Sequence, residues 1–279
     1  MGPAGRRGIV PVASLVSPLA MPEGDTIHYA ANRIRPVLEG QVPDALETPH
    51  RRFARDRWPE RLSGRRVESV DAHGKHLFLR FEGGLTIHSH LRMSGAWRVF
   101  DAGGRGPSRS TWLRVRRGEK EVVQFNGPVL ELMTESRTRF DQRIAGLGPD
   151  ILAPVAFDYK RFLRRLRQDD PTRPIGDAML DQRILAGIGN LWKVEGCFQA
   201  QIDPWRPTGK VSDEEAVLIV DACRPRMQRS ARDGNQTRFK QIYGKARQPC
   251  PRCGPVARIQ TRGQWDDNRP TFWCSRCQS

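Results

Sequence analysis

From Asp25 the apolar positions recur at three- and four-residue spacing, as Ile27, Ala30, Ala31, Ile34, Val37 and Leu38, until Gly40 stops the run. That period puts them on one face of a helix, with Pro36 predicting a kink or an early end. Residues 44–62 are rich in Arg and Pro and read as loop. From Arg65 the period changes. Segments 65–72, 76–82, 85–92, 95–100, 111–117, 120–126 and 129–134 are short and β-rich, with Gly-containing turns at His73-Gly74, Gly83-Gly84 and Gly118. Strands so spaced predict a β-sandwich or barrel. Residues 141–157, with two glycines and two prolines, mark the best domain boundary. Helical patterns follow at 158–167, 176–186, 190–198 and 212–231, and Cys250 opens a small third unit.

Composition narrows the function. The 279 residues suit about two domains on a prior of ~100–200 residues each. No run approaches the ~20 apolar residues of a membrane span, which predicts a soluble chain. The net charge of +16 implies a polyanionic partner, nucleic acid first and an anionic membrane surface second. Only seven of the 47 basic residues are lysines, a ratio that coding bias toward Arg explains. The surplus over 31 acids is not explained that way.

Four of the six cysteines form two pairs, Cys250-x-x-Cys253 and Cys274-x-x-Cys277. Paired thiolates at this spacing suit tetrahedral Zn²⁺, and with all four positions filled the metal would be structural. Cys197 and Cys223 are too few for a disulfide framework, which predicts a reducing, cytoplasmic setting. Between the pairs lie Arg258, Arg262 and Arg269, placed to grip phosphates.

Gly187-Ile188-Gly189-Asn190 joins two apolar segments. It reads either as a plain helix–helix turn or as a backbone that approaches a ligand, with Asn190 and the N–H groups of the next helix around one phosphate. Lys75 occupies a tight turn between strands, as a second cation near a bound phosphate or as one more exposed lysine. His88 and His90 share a strand face but lack an evident third metal ligand. Met93, in the turn that follows, is either core filler or an apolar wedge.

Met21-Pro22-Glu23-Gly24-Asp25-Thr26 carries the sharpest chemistry. If translation starts at Met21, removing it leaves Pro22 as a free secondary amine, able to attack a sugar carbon and form an iminium. Glu23 is then a carboxyl in reach of the same centre, fit for general acid or base work. The bland alternative is an ordinary turn before a helix capped by Asp25. Residues 1–20 would block the amine as an amide. Their apolar stretch is interrupted by Pro11, Ser14, Ser17 and Pro18, a poor signal-peptide core, so they read as an upstream start assignment or a segment that builds no core.

Taken in order, Pro22-Glu23-Gly24-Asp25-Thr26, Gly74-Lys75, His90-Leu91-x-Met93-Ser94-Gly95, Asp181-Gln182…Gly187-Ile188-Gly189-Asn190, Tyr243-Gly244 and the four-cysteine ribbon resemble the formamidopyrimidine-DNA glycosylase/endonuclease VIII family. The resemblance spans residues 22–278. It implies an α+β multidomain protein: an N-terminal catalytic β-sandwich (22–149), a helix–two-turn–helix domain (150–246) and a C-terminal zinc finger (247–279), with 1–21 outside the mature protein. It also implies a bifunctional DNA glycosylase/AP lyase of base-excision repair that cleaves the strand by β/δ-elimination. Pro22 would attack C1′ of the damaged nucleotide and Glu23 would protonate the sugar ring oxygen. Lys75, Asn190 and Arg269 would hold the flanking phosphates, Met93 would fill the gap left by the flipped base, and Tyr243 would contact DNA. Cys250, Cys253, Cys274 and Cys277 would bind one structural Zn²⁺. The expected partner is double-stranded DNA with oxidised or abasic sites, met by a monomer in the cytoplasm at the nucleoid.

Two departures point to the endonuclease VIII-like branch and to oxidised pyrimidines. Gln124-Phe125-Asn126-Gly127-Pro128 lacks the Arg-Phe pair of formamidopyrimidine-type members, and the chain between Arg238 and Cys250 is too short for their long purine-covering loop. Thr26 stands where many relatives carry a second acid. The competing readings are a non-catalytic DNA-binding relative whose proline residues 1–20 block, and a zinc-ribbon RNA-binding or ribosomal accessory protein. The latter leaves Pro22-Glu23 and Gly187–Asn190 unexplained.

Overall fold

The computed structural model describes residues 22–53, 55–103, 108–264 and 268–279. The extension, residues 1–21, lies outside them. Helix α1 (Gly24–Leu38) buries Ile27, Ala30, Ala31, Ile34 and Leu38, the face its period predicted. It runs through Pro36, whose missing N–H removes one rung so close to the end that little helix depends on it, and the ladder closes with the Glu39 N–H donating to Arg35 O (3.0 Å).

Residues 44–62 are not plain loop. They contain strand β1 (Ala45–Glu47), a 3₁₀ turn (Arg51–Phe53) and helix α2 (Trp58–Leu62). Phe53, Trp58 and Leu62 are buried in the β-lobe core, so tertiary burial organises a segment with no period of its own.

Seven strands follow: β2 (Val67–His73), β3 (His76–Phe81), β4 (Leu85–His90), β5 (Ala96–Asp101), β6 (Thr111–Arg117), β7 (Lys120–Phe125) and β8 (Val129–Thr134). They form two four-stranded antiparallel sheets, ordered β2-β3-β4-β8 and β1-β6-β7-β5. Leu77, Leu79, Phe81 and Ile87 from one sheet share a core with Leu113, Val115 and Val122 from the other. This is the expected sandwich, and α1 packs against it.

Short helices α3 (Glu135–Phe140) and α4 (Gln142–Ala145) lead into the helical lobe of α5 (Tyr159–Arg167), α6 (Ile175–Leu180), α7 (Asn190–Ala200) and α8 (Asp213–Asp233). Helix α6 ends at Leu180, short of the expected 186, and a loop carries the chain from Asp181 to Gly189. The lobe has its own core, with Phe162, Met179, Trp192, Ile219 and Met227 fully buried. Ser212 and Glu215 close a capping box at the start of α8.

The last unit is two hairpins, β9 (Pro249–Cys250) with β10 (Gly254–Arg258) and β11 (Gln260–Gln264) with β12 (Arg269–Trp273). Its small core borrows Val194 and Phe198 from α7. Among the described residues no helix is long and apolar enough to cross a membrane.

Candidate active site and nucleic-acid interface

The site is built where α1 starts, against the start of α7. The first turn of any helix leaves N–H groups without intrahelical partners, and they favour negative charge. Here the Glu23 carboxylate takes those of α7. It accepts from the backbone N–H of Gly189 (3.1 Å), Leu191 (2.9 Å) and Trp192 (3.4 Å). This corrects one reading of the sequence: the N–H groups expected to cradle a phosphate hold the chain's own carboxylate.

The glycines serve that approach. A Cβ on Gly189 would lie 2.3 Å from Glu23 Cδ, and one on Gly24 would lie 2.7 Å from Gly187 Cα. The Gly24 N–H donates to Gly187 O (2.9 Å), and Gly187 itself takes φ +104°.

Glu23 is 2% exposed. Burial drives its pKa up to about 7, while the Lys75 ammonium pulls against the rise, Asp25 adds to it, and the N–H groups of Leu191 and Trp192 oppose it. A carboxyl poised there can both hold and release a proton at neutral pH. Pro22, half-buried, immediately precedes it.

Asp25 does not cap α1; the cap position is Glu23, and Asp25 is fully buried. It accepts hydrogen bonds from Ser230 Oγ (2.5 Å) and Gln236 Nε2 (2.9 Å), tying the start of α1 to the end of α8. Burial raises its pKa, and these two donors work against the rise.

The Gly74-Lys75 turn closes the β2–β3 hairpin and lies on the same junction. Gly74 (φ +56°) sits so close to Ala186 that a Cβ would meet the Ala186 Cβ at 2.9 Å. Asp150 secures it. Burial alone would raise this carboxyl's pKa, but His28 Nε2 (2.8 Å) and the N–H groups of Leu152 (2.9 Å) and Gly74 hold it below the usual range.

Asn190 opens α7 and donates through Nδ2 to Pro270 O (3.0 Å). Arg269 begins β12, opposite Gln264. Tyr243 is carried by a segment whose three N–H groups, those of Gln241, Ile242 and Tyr243, all donate to the buried Glu195 carboxylate at 2.8–3.0 Å. Burial raises the Tyr243 hydroxyl's pKa, and both Glu23 and Arg269 act on it electrostatically. Glu23, Lys75, Asn190, Tyr243 and Arg269 therefore share one neighbourhood, although they come from three units of the chain.

Met93 stands apart on the turn after β4, which the Gly95 N–H to Leu91 O bond (2.9 Å) closes and Arg92 (φ 51°) bends. It is 66% exposed, so it does not fill the core. His88 and His90 do share a face, and strand pairing adds His76. His76 Nδ1 lies 2.8 Å from His88 Nε2, and burial drives the pKa of His76 down to about 2 and of His90 down to about 4. Among the described residues the one metal-type cluster is elsewhere. The Sγ atoms of Cys250, Cys253, Cys274 and Cys277 all lie within 4.8 Å of one another, with Cys250–Cys277 and Cys253–Cys274 at 3.9 Å. Tetrahedral Zn–S bonds of ~2.3 Å put sulfurs ~3.8 Å apart, so this thiol set fits a single ion.

Sequence reasoning missed Asp150, Glu195, Ser230 and Gln236. Each acts on residues 46 to 211 positions away, and no local pattern carries such a partnership.

The N-terminal domain model of formamidopyrimidine-DNA glycosylase matches residues 21–142, and that enzyme's H2TH domain model matches 147–241. The chain belongs to the formamidopyrimidine-DNA glycosylase/endonuclease VIII family, the glycosylase/AP lyases of base-excision repair. It is 41% identical over 271 residues to a probable endonuclease 8 2 of Streptomyces coelicolor, covering 93% of this chain and 94% of that one. To the DNA-(apurinic or apyrimidinic site) lyase Nei2 of Mycolicibacterium smegmatis it is 34% identical over 270 residues, covering 93% and 99%. The fold matches a crystal structure of Lactococcus lactis Fpg in complex with N7-benzyl-Fapy-dG DNA at a TM-score of 0.77, with 23% identity over 92% of this chain and all of the other.

Proposed function

We propose that this chain removes oxidised bases, pyrimidines in preference, and cuts the strand through an iminium formed by Pro22. The observation that carries the reading is the buried Glu23 carboxyl, with a pKa near 7, beside Pro22 and under the charge of Lys75. The match of the N-terminal family model begins at Met21, which supports Pro22 as the first residue of the active form.

In this mechanism the Pro22 nitrogen attacks C1′ and the glycosidic bond breaks, its electron pair leaving with the base, which takes up the proton the nitrogen sheds. Glu23 gives its proton to the ring oxygen as the sugar opens to the iminium. The cation acidifies the C2′ proton; its loss expels the 3′ phosphate, and a second elimination expels the 5′ phosphate. Lys75, Asn190 and Arg269 hold the flanking phosphates, Tyr243 lies against the nucleotide, and Met93 enters the gap in the duplex, whose opening costs a few kcal/mol. Cys250, Cys253, Cys274 and Cys277 would hold one Zn²⁺, and an ion held by four thiolates would support the ribbon rather than supply chemistry. The units act as lobes with bounds at 22–149, 150–246 and 247–279.

The test uses matched duplexes, each with a single lesion, under borohydride. Protein beginning at Pro22 should form a covalent adduct with abasic DNA, and it should release thymine glycol or 5-hydroxyuracil faster than 8-oxoguanine. Equal trapping by protein that retains residues 1–20 would move the nucleophile to a lysine. Faster release of 8-oxoguanine opposite cytosine would overturn the pyrimidine preference.

A further inference from the structure

One buried charge has no part in that mechanism. Lys193, on α7 one turn after Asn190, is fully buried. Its ammonium donates to Gln264 Oε1 (2.8 Å), at the end of β11, and to Thr271 Oγ1 (2.5 Å), in the middle of β12, the two strands of the ribbon's second hairpin. The network closes on itself. Thr271 Oγ1 donates to the same Gln264 Oε1 (2.7 Å), and Gln264 Nε2 donates to Pro204 O (3.0 Å), which fixes the orientation of the amide. Gln264 and Thr271 are themselves 1% and 0% exposed. A Cβ on Gly176 would lie 2.6 Å from Gln264 Nε2, so α6 walls the box on another side.

Asn190 and Lys193 are three residues apart and share a helix face. Asn190 grips Pro270 and Lys193 grips Thr271, the two residues that follow Arg269. A buried ammonium is an expensive way to join two units, since an apolar side chain of similar volume would pack there without desolvating a charge. What the ammonium adds is direction: two donors aimed at two acceptors permit one register of β12 against α7.

We propose that Lys193 is a positioning residue that, through Gln264 and Thr271, sets Arg269 at the phosphate beside the attacked sugar. The proposal rests on the role given to Arg269 above and adds the device that aims it. Removing the donors loosens the strand, and Arg269 then samples orientations that miss the phosphate. The loss falls on DNA binding, while the Pro22–Glu23 chemistry is unaltered.

The experiment is a double-mutant cycle on protein beginning at Pro22, read as KM and kcat on abasic-site DNA, with the metal content of the ribbon measured in parallel. Lys193→Met should raise KM about tenfold, the scale of one lost charged hydrogen bond, with kcat and metal content unchanged. In an Arg269→Ala background the same substitution should add nothing, because the group it aims is gone. Thr271→Val should reproduce the effect and Thr271→Ser should restore the wild-type KM, which keeps the test decisive if Lys193→Met does not fold. Losses that multiply with Arg269→Ala, or a Thr271→Val protein with normal KM, would overturn the role of Lys193 and leave that of Arg269 standing. A normal KM for Arg269→Ala alone would overturn the reading of Arg269, and this proposal with it.

Discussion

Two of the attachments that helix α7 makes are built on opposite principles. At its N-terminus it receives a carboxylate from the β lobe on three backbone N–H groups. On its flank it sends a cation into the ribbon, where two side chains receive it. The first attachment uses atoms every helix possesses and needs glycine only to let the guest approach. The second depends entirely on side-chain identity. The difference teaches where substitution is tolerated: the helix end can be damaged by adding atoms, the flank by removing them.

The largest expected effect comes from breaking the first attachment chemically. Glu23→Gln keeps the shape but has no proton to give, and its single amide oxygen can accept only one side of a cradle in which Leu191 donates to one carboxylate oxygen and Gly189 and Trp192 to the other. Base release should fall by ~10²–10⁴, the range for losing a general acid. The sign of the pH dependence follows from the raised pKa. Glu23 is protonated below about 7, so wild-type release should decline as pH rises through 7, and the residual rate of Glu23→Gln should lack that decline. Single-turnover rates from pH 5.5 to 8.5 decide it.

Breaking the same attachment sterically should cost somewhat less. Gly189→Ala would place a methyl 2.3 Å from Glu23 Cδ and force the carboxylate off its N–H groups. A loss of ~10–100-fold in kcat with folding retained is expected, on the scale of one or two charged hydrogen bonds. Normal turnover in Gly189→Ala would show that the N–H cradle is dispensable.

Metal removal sharpens the contrast from the other side. Stripping the ribbon, or Cys274→Ser, should weaken DNA binding and leave single-turnover chemistry at saturating enzyme nearly intact. Binding curves and rates measured on one preparation would separate the two quantities. Normal binding with lost chemistry would make the metal catalytic.

The smallest effect concerns the histidine face of β3 and β4, which follows the Lys75 turn. His76 and His90 are held neutral, their pKa values pushed down by burial to about 2 and about 4. A depressed folded-state value means the unfolded chain binds protons first. The contribution is intact above the ordinary value near 6.5 and drains away as pH falls below it. The melting temperature should therefore drop by a few degrees between pH 7 and pH 5, and less in His76→Phe, which keeps a ring at that position.

Much of this was legible in the chain. The strands announced themselves because turn glycines at Gly74, Gly83-Gly84 and Gly118 separate several of them, and the ribbon because thiolate spacing has few other uses. The loop of Gly187 to Asn190 was located with two readings open, a plain turn or a backbone that approaches a ligand. Its glycines suggested an approaching ligand, whereas the visitor is Glu23, more than 160 residues upstream. Residues 44–62 hid β1 and α2 because Phe53 and Trp58 follow no period and find their order only in the core. Lys193 looked like any basic residue of a basic protein, since nothing in a linear pattern tells a buried ammonium from a solvated one.

The acid proposed to drive the reaction belongs to one lobe, and its proton affinity is set jointly by that lobe's Lys75 and Asp25 and by the N–H groups of another. Neither half of the gene, expressed alone, would encode a competent enzyme, however well it folded. Split between α4 and α5 and mixed, the two polypeptides should regain turnover only as they associate, which makes activity a gauge of docking. The same dependence constrains recombination among relatives. A β lobe moved onto a foreign helical lobe carries its nucleophile, Lys75 and Asp25 with it and leaves behind the N–H cradle that completes the tuning of its acid.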